Sequence, residues 1–343
     1  MSSANEAPPD NLVNFGCGHP DYALLPVDEI ASATQQALLD DPNGRKWLQY
    51  GRENGNYPAR AAIAEFLTNL YHTDSTSHAI DPETLFVTSG VSHGIQLTCR
   101  TLDRVHRQRQ QEDANEAPLC WVEDPTYFLV PPIFEQAGYE LEAVRTSPDN
   151  GLDLSDLETK IRAARTASPD RLLVLYCIPI HHNPLGVSLS EETRTQLIHL
   201  CKANEVYLIA DEVYHGLGFP GTTSSPTAMA MRGSSPYIVS VSAFTKLLCP
   251  GIRCGWIQTS NRDLLHQIGQ EGVLDSGGCS SQLSSGIVRQ LIQNGKLDSY
   301  LAALQAEYAK RCQHLCQLLQ DVSEGSEYPF QFDFAVPQGG YFL

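Results

Sequence analysis

Short apolar runs and amphipathic stretches alternate along most of the chain. Apolar residues that recur every three or four positions predict helices over 27–40, 58–71, 92–104 and 191–204. Compact apolar runs bounded by turn residues predict strands over 85–88, 119–122, 172–178, 206–210 and 237–241. This alternation predicts an α/β fold in which a mostly parallel sheet is covered by helices on both faces.

The final third of the chain has a different pattern. Residues 261–321 read as helical, and a continuous apolar stripe over 296–321 predicts one long helix. Two further strands are expected at Tyr328–Phe334 and Gly340–Leu343. The very polar stretch 106–117 is expected to be an exposed insertion, and residues 1–12 a loose tail.

Composition narrows the classes of partner. The 343 residues include 23 basic and 40 acidic side chains, a formal charge of −17, which argues against nucleic acid and anionic membranes as main partners. The polar N-terminus and the absence of a long apolar run predict neither a secretory signal nor a membrane span. Ten scattered cysteines without a CxxC pair predict reduced thiols and a cytoplasmic location.

Polar residues cluster where predicted strands end, which is where ligands bind in parallel α/β sheets. Asp211 follows an apolar strand directly, so its carboxylate needs a cationic partner, although a helix N-cap is an equally simple explanation. Asn183 lies in an Asn-Pro turn, where its amide can bind a ligand or merely shape the turn. The adjacent His181 and His182 need not share a face, so no metal site is predicted.

A second group of strand ends contains a lysine, an arginine and a glycine turn. Lys246 lies in an apolar stretch broken by Gly and Pro, where partial burial would make its amine a nucleophile, whereas a solvent-reaching side chain is the alternative. Arg253 suits a phosphate. The turn 88–94 opens a helix and offers backbone N–H groups to an anion. Gly16-Cys17-Gly18 lacks the preceding strand and third glycine of a dinucleotide fingerprint.

Taken in order, these clusters resemble the fold-type I pyridoxal-5′-phosphate (PLP) aminotransferases of class I and II. The resemblance runs from about residue 14 to the end of the chain, and each motif gains its specificity from the order and spacing of the whole set. The matching motifs are Gly16–Pro20, Leu48–Gly51 with Gly55, Thr88–Gly90, Glu123–Tyr127, His182–Gly186, Asp211–Tyr214, Phe244–Lys246 and Pro250–Trp256.

The resemblance implies a role for each matching residue. Lys246 would bind PLP as a Schiff base and move a proton, while Asp211 would pair with the pyridine nitrogen. Asn183 and Tyr214 would hydrogen-bond the ring oxygen, with Asn183 and Gly18 also near substrate. The remaining cofactor-binding positions are implied to be Ser89, Gly90, Val91, Ser92, Tyr127, which stacks on the ring, Ser242, Thr245 and Arg253.

The resemblance also implies an assembly and a division into domains. Tyr50 would reach the phosphate of a neighbouring subunit, giving a homodimer with shared active sites, and Asp275–Gly278 would line the partner's pocket. Residues 1–46 would form the N-terminal part of a small α+β domain and 47–293 the large PLP-binding domain. The interdomain helix and the start of the C-terminal small domain would occupy 294–343.

The implied activity is transfer of an amino group between an amino acid and a 2-oxo acid, and the motifs look closest to the 2-aminoadipate/kynurenine branch, with aromatic amino acids also possible. Two departures from the family stand out. Ala243 replaces the usual serine three residues before the lysine. The chain also ends at Leu343, before the family's carboxylate-binding arginine, so a truncated C-terminal domain is expected.

Other functions remain open at this stage. A PLP-dependent C–S β-lyase would use the same residues around the cofactor, and a truncated PLP-binding protein with little turnover would keep them without efficient catalysis. A nucleotide-dependent dehydrogenase is disfavoured because the chain has no GxGxxG motif.

Overall fold

A mixed sheet forms the centre of the molecule. The computed structural model describes residues 18–71, 79–110, 116–222, 227–232, 235–325 and 331–343. The strands are β1 (Leu85–Thr88), β2 (Leu119–Asp124), β3 (Glu140–Ser147), β4 (Gly151–Leu152), β5 (Leu173–Cys177), β6 (Tyr207–Asp211), β7 (Ile238–Ala243) and β8 (Gly255–Gln258). Their order is β1-β8-β7-β6-β5-β2-β3-β4. The run from β7 to β3 is parallel, which confirms the predicted sheet.

Helices flank this sheet on both faces. They are α1 (Val27–Gln35), α2 (Tyr57–Leu70), α3 (Val91–Arg109), α4 (Pro131–Gln136), α5 (Leu154–Ala167), α6 (Glu191–Ala203), α7 (Phe244–Leu247), α8 (Arg262–Gly269), α9 (Gly272–Gly277), α10 (Gln282–Gln293) and α11 (Lys296–Glu324). The predicted helical region after 261 and its long final helix are confirmed. Among the described residues, no helix is long and apolar enough to cross a membrane.

Strand pleating divides the core into two layers, as β5 shows. Its odd-numbered residues, including Leu175, pack with α5 and α6, whereas Val174 and Tyr176 face α3, α4 and α8. A third cluster joins α2, α10 and α11 around Trp256. Because both faces are covered, β5 is apolar throughout and buried at every position.

Three predictions need correction. The stretch 106–117 is not simply an exposed insertion, because α3 continues through it to Arg109, and positions 111–115 lie outside the described residues. No strand forms over 331–334 or 340–343, while 328–330 also lie outside the described residues. Instead Gly339 makes an isolated bridge to Gly218, and the Phe219 N–H donates to the Gln338 carbonyl. Without a neighbouring strand along their length, residues 338–343 dock against a loop.

Candidate active site

The polar clusters predicted from the sequence meet at one edge of the sheet. Strand β8 runs antiparallel to both β7 and β1, so β1 points in the same direction as β5, β6 and β7. The segments that follow those four strands therefore emerge at a shared edge. The Ser89 turn, Asn183 and Lys246 lie on these segments, and Asp211 is the last residue of β6.

Lys246 is held on the short helix α7, immediately beyond β7. Its Nζ donates a 2.7 Å hydrogen bond to the carbonyl of Gly18. The same nitrogen lies 5.0 Å from the ring centre of Tyr341 and 5.8 Å from that of Tyr214. Burial lowers the pKa of the Lys246 ammonium to about 8, and the opposing attraction of Asp211 only partly offsets this. This amine therefore loses its proton at a lower pH than an ordinary lysine does.

Asp211 ends β6 with its side chain buried. Its Oδ2 accepts a 2.8 Å hydrogen bond from the Tyr176 hydroxyl, and its Oδ1 accepts one from the Val213 N–H at 3.2 Å. Burial raises the pKa of this carboxyl to about 6, because the hydrogen bonds and Lys246 only partly compensate for lost hydration. Among the described residues, Asp211 forms no ion pair with a basic side chain.

Tyr214 and Tyr127 interact electrostatically with Asp211, and Asn183 contacts Tyr214. The Asn183 side chain hydrogen-bonds the Tyr214 hydroxyl, and burial raises the pKa of that phenol well above its usual value. Burial followed by the Asp211 charge also raises the pKa of Tyr127, whose ring lies 5.7 Å from that of Phe128. Both phenols are therefore neutral donors at physiological pH.

An anion cradle lies at the start of α3. Gly90, with φ 119° and ψ 175°, turns the chain into the helix, and a Cβ there would lie 2.7 Å from Nη2 of Arg253. The guanidinium therefore packs directly on the Gly90 backbone. Val91 and Ser92 occupy the first helical turn, where N–H groups have no preceding helical carbonyl. The Ser89 N–H is already used, because it donates to Nδ1 of His93 at 3.1 Å.

The other predicted site residues have varied surroundings. The buried Ser242 hydroxyl donates to the Glu212 carbonyl at 3.0 Å, so it is bonded within the protein. Thr245 is half-buried beside Lys246, and Ala243 is fully buried. Gly18 contributes the carbonyl that Lys246 binds. Tyr50 is 81% exposed and lines a cleft of about 420 Å³ away from Lys246, so its side chain does not join the site within one chain.

Several residues near the site make contacts that could not be predicted from the sequence pattern. Tyr176 carries the one hydroxyl within the apolar stretch 172–178, and that was its only signal. Glu123 and His182 form a fully buried pair at 3.0 Å, and the Ile178 N–H also donates to Glu123. The Ser281 hydroxyl lies within hydrogen-bonding distance of the carbonyls of Arg253 and Thr88, so it ties the two sides of the cradle together.

The geometry agrees with the comparisons to known proteins. The family model for aminotransferase class I and II matches residues 10–343. Aromatic-amino-acid aminotransferase 1 of Thermococcus litoralis is 24% identical over 97% of this chain and 73% of its own length.

Two solved structures share the fold. Kynurenine aminotransferase of Pyrococcus horikoshii, in complex with PMP, is 20% identical, with a TM-score of 0.75 over 94% of this chain and 73% of its own. α-Aminoadipate aminotransferase of Thermus thermophilus, complexed with N-(5′-phosphopyridoxyl)-L-leucine, is 22% identical, with a TM-score of 0.73 over 95% and 74%. The chain therefore belongs to the class I and II aminotransferases, and it is a transaminase of fold type I whose cofactor is pyridoxal 5′-phosphate.

Proposed function

We propose that this transaminase moves an amino group between a 2-oxo acid and an amino acid of the 2-aminoadipate, kynurenine or aromatic type, with Lys246 covalently carrying PLP. One observation carries the proposal: a partly buried lysine amine with a pKa of about 8 interacts electrostatically with a buried carboxylate at the edge where four strand ends meet. The relatives named as aromatic-amino-acid and 2-aminoadipate aminotransferases and the structural neighbour named as a kynurenine aminotransferase support the substrate classes.

The residues present fit PLP. Asp211 is a buried carboxylate that pairs with no described basic side chain, and a protonated pyridine nitrogen would supply the missing positive charge. Arg253 and the first turn of α3 offer a guanidinium and backbone N–H groups suited to a phosphate. Lys246 offers a nucleophilic amine to the carbonyl group of the cofactor.

When bound, PLP supplies an electron sink that stabilises negative charge at the substrate Cα. The protein's own residues would then orient the reactants and move one proton. Asp211 would hold a proton at the ring nitrogen, and Asn183 and Tyr214 would hydrogen-bond the ring oxygen. Tyr127 would cover one face of the ring. With a pKa of about 8, the Lys246 amine is suited to accept the proton from Cα and donate it again.

The phosphate would be held by Arg253, Gly90, Val91 and Ser92, and by Ser89 once it gives up its contacts with Nδ1 of His93. Thr245, half-buried beside the lysine, would supply a hydroxyl in place of the serine that Ala243 replaces. Ser242 would contribute through its backbone or by giving up its bond to the Glu212 carbonyl. The Gly18 backbone would meet the substrate once Lys246 no longer occupies its carbonyl.

We also propose a homodimer with shared active sites. Tyr50 is 81% exposed, and Leu48, Tyr57 and Val273 are exposed apolar or aromatic side chains. Packing against a second copy would remove the apolar surface of these side chains from water, and Tyr50 would reach the partner's phosphate. The domain division at 46/47 and 293/294 and a cytoplasmic location are part of the same proposal. The nine described cysteines are all free thiols, which supports a reducing compartment.

The visible spectrum of the PLP-loaded protein tests the proposal. The band of bound cofactor should fade on addition of 2-aminoadipate, kynurenine or an aromatic amino acid and return with a 2-oxo acid. Lys246→Ala should abolish this response, whereas Lys202→Ala, an exposed lysine on α6, should not change it. Release of pyruvate, ammonia and a thiol from a cysteine S-conjugate without a 2-oxo acid would instead indicate a C–S β-lyase. A cofactor band that no amino acid alters would contradict the proposed transfer.

A further inference from the structure

We infer that Tyr176 is a positioning residue for the cofactor: its hydroxyl holds the Asp211 carboxylate in place to face the pyridine nitrogen. The inference rests on the proposed function and adds to it a residue on a different strand. It assigns Tyr176 no contact with substrate or cofactor, only an action through Asp211.

Sheet register places the two side chains on one face. Tyr176 on β5 is paired with Ile209 on β6, and Asp211 lies two residues beyond Ile209 on the same strand. Since side chains two residues apart point to the same face of a sheet, Tyr176 and Asp211 share a face. The long phenol spans the remaining distance, and its oxygen lies 2.8 Å from Oδ2 of Asp211.

The surroundings leave this bond without competition from water. Tyr176 is 0% exposed and Asp211 is 3% exposed. Phe134 lies edge-on against the Tyr176 ring at 6.0 Å between centroids, so the ring has little room to turn away. Oδ1 is bound by the Val213 N–H, so each carboxylate oxygen has one donor from the protein. The carboxyl group is therefore fixed from two sides before any ligand arrives.

The hydrogen bond also affects the charge of Asp211. Burial raises the pKa of this carboxyl, and the nearby Glu123 raises it further, whereas the Tyr176 hydroxyl lowers it. The titratable groups that interact electrostatically with Asp211 include Tyr176, Glu123, Lys246, Tyr127, Tyr214, Cys177 and Glu212. Tyr176 is the only one of these that donates a hydrogen bond to Asp211 in the described part of the chain. It thus favours the ionised carboxylate that a pyridinium requires.

The experiment compares two buried tyrosines with two cofactors. Tyr176→Phe removes the hydroxyl and keeps the ring. Tyr139→Phe is the matched control, because Tyr139 also packs edge-on against Phe134 and donates a buried 2.8 Å hydrogen bond, but to the carbonyl of Cys99. The 343-residue chain is titrated with PLP and with an analogue in which carbon replaces the ring nitrogen. A melting curve verifies that each variant is folded.

We expect Tyr176→Phe to weaken PLP binding about tenfold, as for loss of a hydrogen bond to a charged group. Its affinity for the carbon analogue should match that of the wild type, because no ring nitrogen is present. Tyr139→Phe should bind both cofactors normally. Equal weakening toward both cofactors, or the same loss in both variants, would show a merely structural role and overturn the inference.

A double variant separates an action through Asp211 from a general loss of stability caused by Tyr176→Phe. Asp211→Asn removes the group through which Tyr176 acts, so adding Tyr176→Phe to it should not weaken PLP binding further. Additive losses would contradict the inference. Failure of the proposed function is distinguishable, since wild-type protein would then fail to bind PLP or to require Lys246 for it. Normal wild-type binding with an unaffected Tyr176→Phe would overturn the inference alone.

Discussion

Gly90→Ala probes the anion cradle through a single added methyl group. The residue has φ 119° and ψ 175°, a conformation that essentially only glycine adopts, so alanine there costs about 1–3 kcal/mol of stability. The new Cβ would lie 2.7 Å from Nη2 of Arg253, and the guanidinium must move away. Losing one charge-assisted contact with the phosphate costs about 1.5–3 kcal/mol, so we expect the Kd for PLP to rise about 10- to 100-fold.

Gly138→Ala is the matched control for this prediction. Gly138 also has a positive φ, +85°, but a Cβ there would meet nothing within 4 Å. Both variants should lose stability in urea unfolding, because both strain the backbone. The strain exists with and without cofactor and cancels in the Kd, so only Gly90→Ala should weaken PLP binding in a fluorescence titration. An unchanged Kd for Gly90→Ala, or an equal loss in Gly138→Ala, would refute the assignment of the cradle.

Three further predictions concern Lys246, Tyr50 and the C-terminal segment. The pKa of Lys246 is about 8 in the folded protein, whereas that of an ordinary lysine is 10.5. Between pH 8 and pH 10.5 the unfolded chain therefore binds more protons than the folded protein, and the free energy of unfolding should rise with pH over this range. In urea unfolding of the cofactor-free proteins, the rise in the free energy of unfolding with pH should be smaller for Lys246→Met than for the wild type. The same pH dependence in both proteins would contradict the burial of Lys246. Mixed Tyr50→Ala and Lys246→Ala chains should regain about a quarter of wild-type activity. About half of the dimers formed by random pairing are hybrids, and each hybrid has one of its two sites intact. No recovery of activity would exclude shared sites. Gly339→Ala should destabilise the protein by about 1–3 kcal/mol, since its Cβ would lie 2.5 Å from the His181 ring and the Leu217 carbonyl, while Gly251→Ala, with open space, should not.

Local pattern predicted much of the fold because strands buried on both faces are largely apolar. The strands β5 and β7 are buried throughout. β5 is apolar at every position, and β7 reads as a largely apolar run although Ser240 lies within it. The strand β3 was missed for the opposite reason. Most of its residues, including Glu140 and Glu142, are exposed or half-buried, and a strand of that kind carries no apolar run.

The candidate site was predictable to the extent that its residues follow strands. Asp211 and Lys246 could be singled out because a charged group after an apolar run must find a partner. The supporting contacts were not predictable in this way. Tyr176 reads in sequence as one more core aromatic, and its hydroxyl gains meaning only from the register of β5 with β6.

By itself, then, the sequence determined which segments form buried strands, where polar groups end them, and the ordered set of motifs that indicates a PLP transaminase. The tertiary structure decided the strand order, with β8 inserted antiparallel between β1 and β7, and so decided which ends meet. It also brought the carbonyl of Gly18 to Lys246 across 228 positions of the chain. Periodicity indicates only whether a side chain faces the core or solvent. Contacts such as these depend on how segments that are distant in sequence pack against each other.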